Sequence, residues 1–383
     1  MNEKIVIIDA GRTPVGKYDG ALSDLTAVEL GTHVVKNLLK RHENLSNDVS
    51  QVIFGNVLQA GNGQNVARQI TINSGLSNEI PAFTVNEVCG SGLKAILLAA
   101  QILQLNPEKN VVVAGGTESM SNAPMVKNRK TDEENLTMFS EGLHDAFSGE
   151  PMGIIAENIA KKYGISRQVQ DEFAQKSQEK AGTAQKSGIF DDEIIPVGDV
   201  KIDQPPRANS TLESLSNLRT IFDENGTVTA GNASPVNDGA SAVILATETY
   251  ANEHQLPILA KLIDSSEVGI DPEIMGVSPI KAIRELLTKT DLDLNDIDLF
   301  EINEAFASSS VAVNRELGLD ENKVNIAGGA IGLGHAIGSS GARITTTLSH
   351  LLKNQNKKYG IASLCIGGGL GLALLLENPN YGQ

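Results

Sequence analysis

The sequence predicts an α/β fold made of two similar halves with a long insertion between them, and three observations carry that expectation. Short β-branched runs bounded by polar residues or glycine, Ile5-Val6-Ile7-Ile8 and Val111-Val112-Val113-Ala114, suit strands buried in an α/β sheet. Between them apolar residues recur at helical spacing: Leu25, Val28, Val35, Leu38 and Leu39, then Leu93, Ile96, Leu97 and Ala100. Thirdly, the two ends of the chain echo each other. Val85-Asn86, the turn Cys89-Gly90-Ser91-Gly92, a helix and a strand ending Val113-Ala114-Gly115-Gly116 make the first copy. Val324-Asn325, the turn Gly338-Ser339-Ser340-Gly341, a helix and a strand ending Cys365-Ile366-Gly367-Gly368 make the second, so the pattern reads as an internal duplication.

The second half has its own elements: helices over 280–287 and 345–352, and strands over 297–302 and 361–366. The middle differs. From 119 to about 231 the chain is rich in charged and amide residues, carries Lys127-Asn128-Arg129-Lys130 and Gln204-Pro205-Pro206-Arg207, and reads as an insertion with one helix over 167–187.

Composition narrows the function classes. The 383 residues are 40% hydrophobic and 20% charged, as in ordinary globular proteins. A net charge of -16 argues against nucleic-acid binding, although a local cationic pocket still holds one diphosphate on an acidic protein. The apolar stretch 93–105 contains Lys94 and Gln101 and falls short of the roughly 20 residues that span a bilayer, so it reads as a buried helix. The start lacks the apolar run of a secretory signal, which points to the cytoplasm, where the two cysteines stay reduced.

Four segments hold residue types suited to chemistry. Cys89 lies at the start of an apolar helix, where free N–H groups and the helix dipole favour a thiolate; the alternative is a small buried hydrophobe. His335, among Gly328, Gly329, Gly332, Gly334, Gly338 and Gly341, suits a tight loop at a cleft that accepts a thiol proton, or a structural imidazole. Cys365 ends a strand before Gly367-Gly368-Gly369, whose bare N–H groups suit an oxyanion, but alone it reads as a core thiol. Asn303-Glu304 follows a strand and in isolation is a helix cap. Gly332-x-Gly334-x-x-x-Gly338 misses the dinucleotide spacing, and the scattered histidines with two distant cysteines give no metal-ligand pattern.

Taken in chain order, Val88-Cys89-Gly90-Ser91-Gly92, Asn303-Glu304-Ala305-Phe306, Gly334-His335 and Cys365-Ile366-Gly367 resemble the thiolase family. The likeness extends to Asp9-Ala10-Gly11-Arg12-Thr13-Pro14, Gly115-Gly116-Thr117-Glu118-Ser119-Met120-Ser121 and Thr229-Ala230-Gly231-Asn232-Ala233-Ser234. The resemblance implies a five-layered α-β-α-β-α sandwich from two βαβαβαββ halves: 1–118 completed by about 232–265, and 266–383, with 119–231 as a loop domain over coenzyme A. It implies that Cys89 becomes acylated, His335 takes its proton and Cys365 moves a proton at the α-carbon of the second substrate. Asn303 would hold a water that polarises one thioester oxygen, and the N–H groups of Cys89 and Gly367 would form a second oxyanion hole. Ser234, Arg207 and Ser214 would lie along the coenzyme. Coenzyme A and acyl-CoA would be substrates, with no tightly bound cofactor, in a homodimer or homotetramer.

The implied reaction joins two acetyl-CoA into acetoacetyl-CoA and coenzyme A, reversibly; cleavage of longer 3-ketoacyl-CoA in fatty-acid degradation is the alternative. Three departures bear on chain length and loop rigidity: Pro151 where acetoacetyl-specific members have histidine, Ser278 for glycine, and Ala336 for proline. A carrier-dependent condensing enzyme needs no second cysteine, and a binding-only relative would have lost a catalytic group.

Overall fold

The computed structural model describes residues 3–382. The first half runs β1 (Ile5–Arg12), α1 (Ala27–Leu39), β2 (Val49–Gly55), α2 (Val66–Asn73), β3 (Ala82–Val85), α3 (Ser91–Leu105), β4 (Val111–Ser119). The insertion follows, with helices α4 (Met152–Lys162) and α5 (Arg167–Ser187), and β5 (Asn237–Thr247) then completes the half. The second half runs β6 (Ala260–Gly269), α6 (Ser278–Thr290), β7 (Leu299–Ile302), α7 (Ala307–Leu317), α8 (Ser340–Asn354), β8 (Tyr359–Ile366), β9 (Leu370–Glu377).

Strand pairing repeats the duplication. In the first half β2 pairs parallel with β3 and β4, while β5 pairs antiparallel with β4 and β1. In the second, β7 pairs parallel with β8, and β9 pairs antiparallel with β8 and β6. The strand that would match β3 is reduced to one parallel bridge, Phe300 to Val324, so the second half keeps the βαβαβαββ order with its third strand nearly lost. Ile5–Ile7 pairs with Leu262–Ala260, which ties the halves into one ten-stranded sheet, order β7-β8-β9-β6-β1-β5-β4-β2-β3 with Gly16–Lys17 beside β5.

Three apolar cores define five layers. One lies between α1, α2 and the first half's strands (Leu30, Leu38, Phe54, Ile70, Ile244) and another between α6, α7 and the second half's strands (Ile283, Leu286, Phe300, Val313, Leu375). The third sits in the middle, where α3 and α8 pack together and against the strands of both halves (Ile96, Leu348, Val243, Leu364). Val88–Leu105, the Cys89 turn together with α3, is the one window among the described residues long and apolar enough to cross a membrane, and the packing of α3 in this central layer explains that composition.

Local sequence explains the boundaries. Thr26 and Glu29 form a capping box that starts α1, so Leu25 falls just outside the helix rather than on its apolar face. α5 starts at the Ser166 cap and stops at Gly188, whose φ of 75° suits glycine. α8 is buried on all sides although it is rich in hydroxyls, because these bond back one turn: Thr345 Oγ1 to Gly341 O at 2.9 Å and Ser349 Oγ to Thr345 O at 2.7 Å. The strand expected from 297 begins at Leu299, preceded by a 3₁₀ turn over Leu294–Asp296.

Candidate active site

The turn between β3 and α3 carries Cys89. Val88 there has φ 46°, a left-handed backbone that a β-branched residue adopts only under strain. Hydrogen bonds hold it: Ser91 Oγ accepts from Glu87 N at 2.8 Å and donates to Val88 O at 2.6 Å, and Asn86 Oδ1 accepts from Val88 N at 3.1 Å. Cys89 is thereby presented, half-buried, immediately before the central helix.

The matching turn of the second half carries His335. Its N–H donates to Asn237 Oδ1 at 2.9 Å. Ser340 Oγ donates its one proton to Ala336 O at 3.0 Å, so it accepts from His335 Nδ1–H at 2.5 Å. That leaves the Nε2 lone pair facing Cys89 Sγ at 3.3 Å. Asn303 Nδ2 stands 3.5 Å from the same nitrogen, and Asn303 Oδ1 is buried without a partner.

Cys365 ends β8, 2% exposed, in a small apolar cluster with Ile155, Met275 and Ala305. Beyond it Gly367 packs closely: a Cβ there would lie 3.0 Å from Met152 Cε and 3.5 Å from Val88 Cγ1, so this main chain lies against the Cys89 turn. Burial pushes the Cys89 thiol up to about 11; the N–H groups of Gly367 and of Cys89 itself pull it down, and Glu118 pushes it up. Burial and the nearby Cys89 push Cys365 up to about 12. Burial, with Arg343, lowers His335 to about 4. The thiolate expected at the helix start is therefore corrected: desolvation outweighs the helix dipole, and the resting pair is a thiol and a neutral imidazole.

Cys89, His335, Asn303, Cys365 and Gly367 thus meet where the central helices begin. Ser234 lies alongside, since its N–H donates to Ala305 O at 2.9 Å and the flanking Ala233 and Val236 bridge to Phe306 and His335. Arg207 and Ser214 lie on the exposed insertion instead. Arg207 N donates to Gln178 Oε1 at 2.6 Å, and Ser214 completes a capping box with Thr211 on the helix Leu212–Ser216.

The helix-cap reading of Asn303-Glu304 does not hold. α7 starts at Ala307 without a side-chain cap, and Glu304 instead accepts from Ser177 Oγ (2.6 Å), Asn325 Nδ2 (2.8 Å) and Ile331 N (3.2 Å), bracing the glycine loop that leads to His335. Ser340 and Glu118 escaped the sequence reading as parts of the site. Their signals were a hydroxyl five residues past His335, at the start of the following helix, and a lone acid near the end of an apolar strand.

Two departures are absorbed locally. Ser278 Oγ donates to Leu370 O at 2.7 Å, so its hydroxyl is satisfied although buried. Ala336 keeps its carbonyl as the acceptor for Ser340.

Family models agree with this arrangement: "Thiolase, N-terminal domain" matches residues 5–249 and "Thiolase, C-terminal domain" matches 256–378. The chain belongs to the thiolase family. An acetyl-CoA acetyltransferase of Allochromatium vinosum is 48% identical, covering 98% of this chain and all of the relative. The mouse cytosolic acetyl-CoA acetyltransferase is 46% identical, covering 98% of each chain. Among solved structures, the Bacillus anthracis acetyl-CoA acetyltransferase superposes with a TM-score of 0.95 at 41% identity, covering 99% of this thiolase and 100% of that chain. Human mitochondrial 3-ketoacyl-CoA thiolase in complex with CoA gives 0.94 at 40% identity, covering 98% of each.

Proposed function

We propose that this thiolase is an acyltransferase that condenses two acetyl-CoA into acetoacetyl-CoA and coenzyme A, and cleaves the product in reverse, through an acyl group carried on Cys89. The observation that carries the reading is the 3.3 Å contact between Cys89 Sγ and an imidazole nitrogen whose other nitrogen is fixed as a donor. In the first half-reaction His335 Nε2 takes the thiol proton as sulfur attacks the thioester carbonyl; coenzyme A leaves as a thiol with that proton. The N–H groups of Cys89 and Gly367 stabilise the negative oxygen as it forms.

In the second half-reaction Cys365 passes its thiol proton to the freed His335 and then, as a thiolate, removes a proton from the α-carbon of another acetyl-CoA; the carbanion attacks the carbonyl carbon of the acyl group on Cys89. The bond from that carbon to Cys89 Sγ breaks as the new carbon-carbon bond forms, and the departing Cys89 thiolate recovers the proton from His335. The protonated His335, through its Nε2–H, and a water that donates to Asn303 Oδ1 polarise the thioester oxygen of this second substrate. A neutral resting pair suits the sequence, because charge separates only when a substrate oxygen is present to receive it. Ser234 lies along the pantetheine arm, and Arg207 and Ser214, on the 119–231 loop domain, face the nucleotide. The names of the cytosolic mammalian relatives support a cytoplasmic setting, and the family resemblance supports a homodimer or homotetramer.

The test is direct. With acetoacetyl-CoA and free coenzyme A, absorbance of the ketoacyl thioester falls as acetyl-CoA appears; unchanged absorbance with short and medium 3-ketoacyl-CoA alike refutes the proposal. One observation favours longer acyl chains: Pro151, not histidine, starts α4, and the next residue, Met152, packs beside Gly367 and Cys365. kcat/KM across a series of 3-ketoacyl-CoA chain lengths separates the two readings.

A further inference from the structure

The Cys89–His335 contact joins turns from different halves, so something must hold those turns in register. Main-chain packing does part of it: a Cβ on Gly92 would fall 2.8 Å from Ala342 N and 3.0 Å from Gly338 O, so α3 and α8 touch backbone to backbone at their starts. One carboxylate lies in this seam. Glu118, at the end of β4 and 0% exposed, accepts from Asn56 Nδ2 at 2.7 Å, Val57 N at 3.0 Å and Leu58 N at 3.2 Å, all in the first half. Its fourth donor crosses over: Gly338 N, three residues after His335, at 2.9 Å. A Cβ on Gly338 would lie 2.6 Å from Glu118 Oε2, so only glycine admits this approach.

All four partners are donors. A protonated carboxyl would set its O–H against an N–H, so these bonds hold the ionised form, although burial pushes Glu118 up to about 7. We infer that Glu118 is a positioning residue that clamps the His335 turn onto the first half and sets a negative charge beside the N-terminal ends of α3 and α8, which adds to the desolvation that holds Cys89 as a thiol until substrate binds. The inference rests on the acyl-carrying role of Cys89 given above. The other titratable or charged groups around Cys89 are His335, Cys365 and Arg343 from the second half, with Glu87 on its own turn and Lys94 on α3. Beside these, Glu118 both opposes the pull of the two helix ends on a thiolate and bonds the turn that carries His335.

The experiment pairs two readouts on Glu118→Gln: the pH midpoint of Cys89 alkylation by iodoacetamide, followed by mass spectrometry, and the kcat and KM of thiolysis. The midpoint is expected to move down by about one pH unit. kcat is expected to fall about 100-fold, as for a misplaced catalytic group, with KM within about twofold. Glu118→Asp keeps the charge and shortens the reach, so it retains the wild-type midpoint and loses kcat. A folded Glu118→Gln with an unchanged midpoint, or with kcat within about threefold of wild type, overturns the inference. If that variant does not fold, Glu118→Asp decides, and a lowered midpoint there overturns it. Failure of both to fold leaves a purely structural residue and also overturns it. A wild-type protein inactive on every 3-ketoacyl-CoA sinks the thiolase assignment of function instead, and the alkylation midpoints still stand.

Discussion

Asn56 and Asn303 occupy the same place in the two halves and meet opposite fates. Each is the first residue after the strand that pairs parallel with its neighbour, and each donates its backbone N–H to an adjoining strand, to Val85 O and Ser363 O, at 3.0 Å in both cases. Asn56 spends its side-chain N–H groups on Glu118 and Thr117 O, at 2.7 and 3.1 Å. Asn303 turns its side-chain amide nitrogen to His335 instead, while the amide oxygen of each residue is buried without a partner. Duplication thus supplies two equivalent positions, and the neighbours decide that one side chain bonds a buried carboxylate while the other faces the His335 imidazole.

The catalytic side of this comparison is broken most severely at the nucleophile. Cys89→Ser abolishes the acyl-enzyme seen by mass spectrometry and lowers kcat/KM on the order of 10⁴-fold or more. Cys365→Ala still acylates and fails to condense; normal condensation in that variant refutes its proton role. Next comes Asn303→Ala, for which thiolysis kcat falls by about 100-fold to 1,000-fold as an oxyanion donor is lost, with little change in chemical stability curves. Its counterpart Asn56→Ala reads out first in stability, losing about 1–3 kcal/mol in denaturant unfolding because it strips a donor from a buried carboxylate. Equal stability losses in both variants would erase the distinction between the halves.

Smaller effects sharpen it further. Ser340→Ala releases the His335 tautomer and lowers kcat roughly 10-fold to 100-fold, measured beside an unchanged KM. In the pH profile, His335 must be neutral to accept the thiol proton, and its folded value is lowered to about 4. kcat/KM therefore stays level on the acid side until pH nears 4 and then falls; a midpoint near 6.5 contradicts this. The same lowering means the unfolded chain binds a proton that the folded one refuses between pH 6.5 and 4, so this group's contribution to stability declines as pH falls through that window.

The strands and helices were legible because their causes are local. β-branched runs, helical spacing in α3 and the cap at Ser166 act within a few residues, and α5 begins and ends at Arg167–Ser187 as its sequence pattern implies. The duplication was legible too, since two copies of one turn-helix-strand pattern leave a mark that needs no contact information. Cys89, Asn303, His335 and Cys365 stood out only when taken together in chain order, through the family resemblance; alone, Asn303 reads as a helix cap and Cys365 as a core thiol.

Only the tertiary structure decided what those residues are in chemical terms. A cysteine at a helix start reads as a thiolate, yet its charge state depends on how much water the fold removes and on Glu118, 29 residues away in sequence. The His335 tautomer depends on where Ser340 sends its single proton, and the loop bracing by Glu304 on residues 21 to 27 positions later and on Ser177 in the insertion. Sequence determines which groups the chain brings. Desolvation and long-range hydrogen bonds exist only once the halves close, and these set which group holds a proton, which one gives it up and which merely holds the others still.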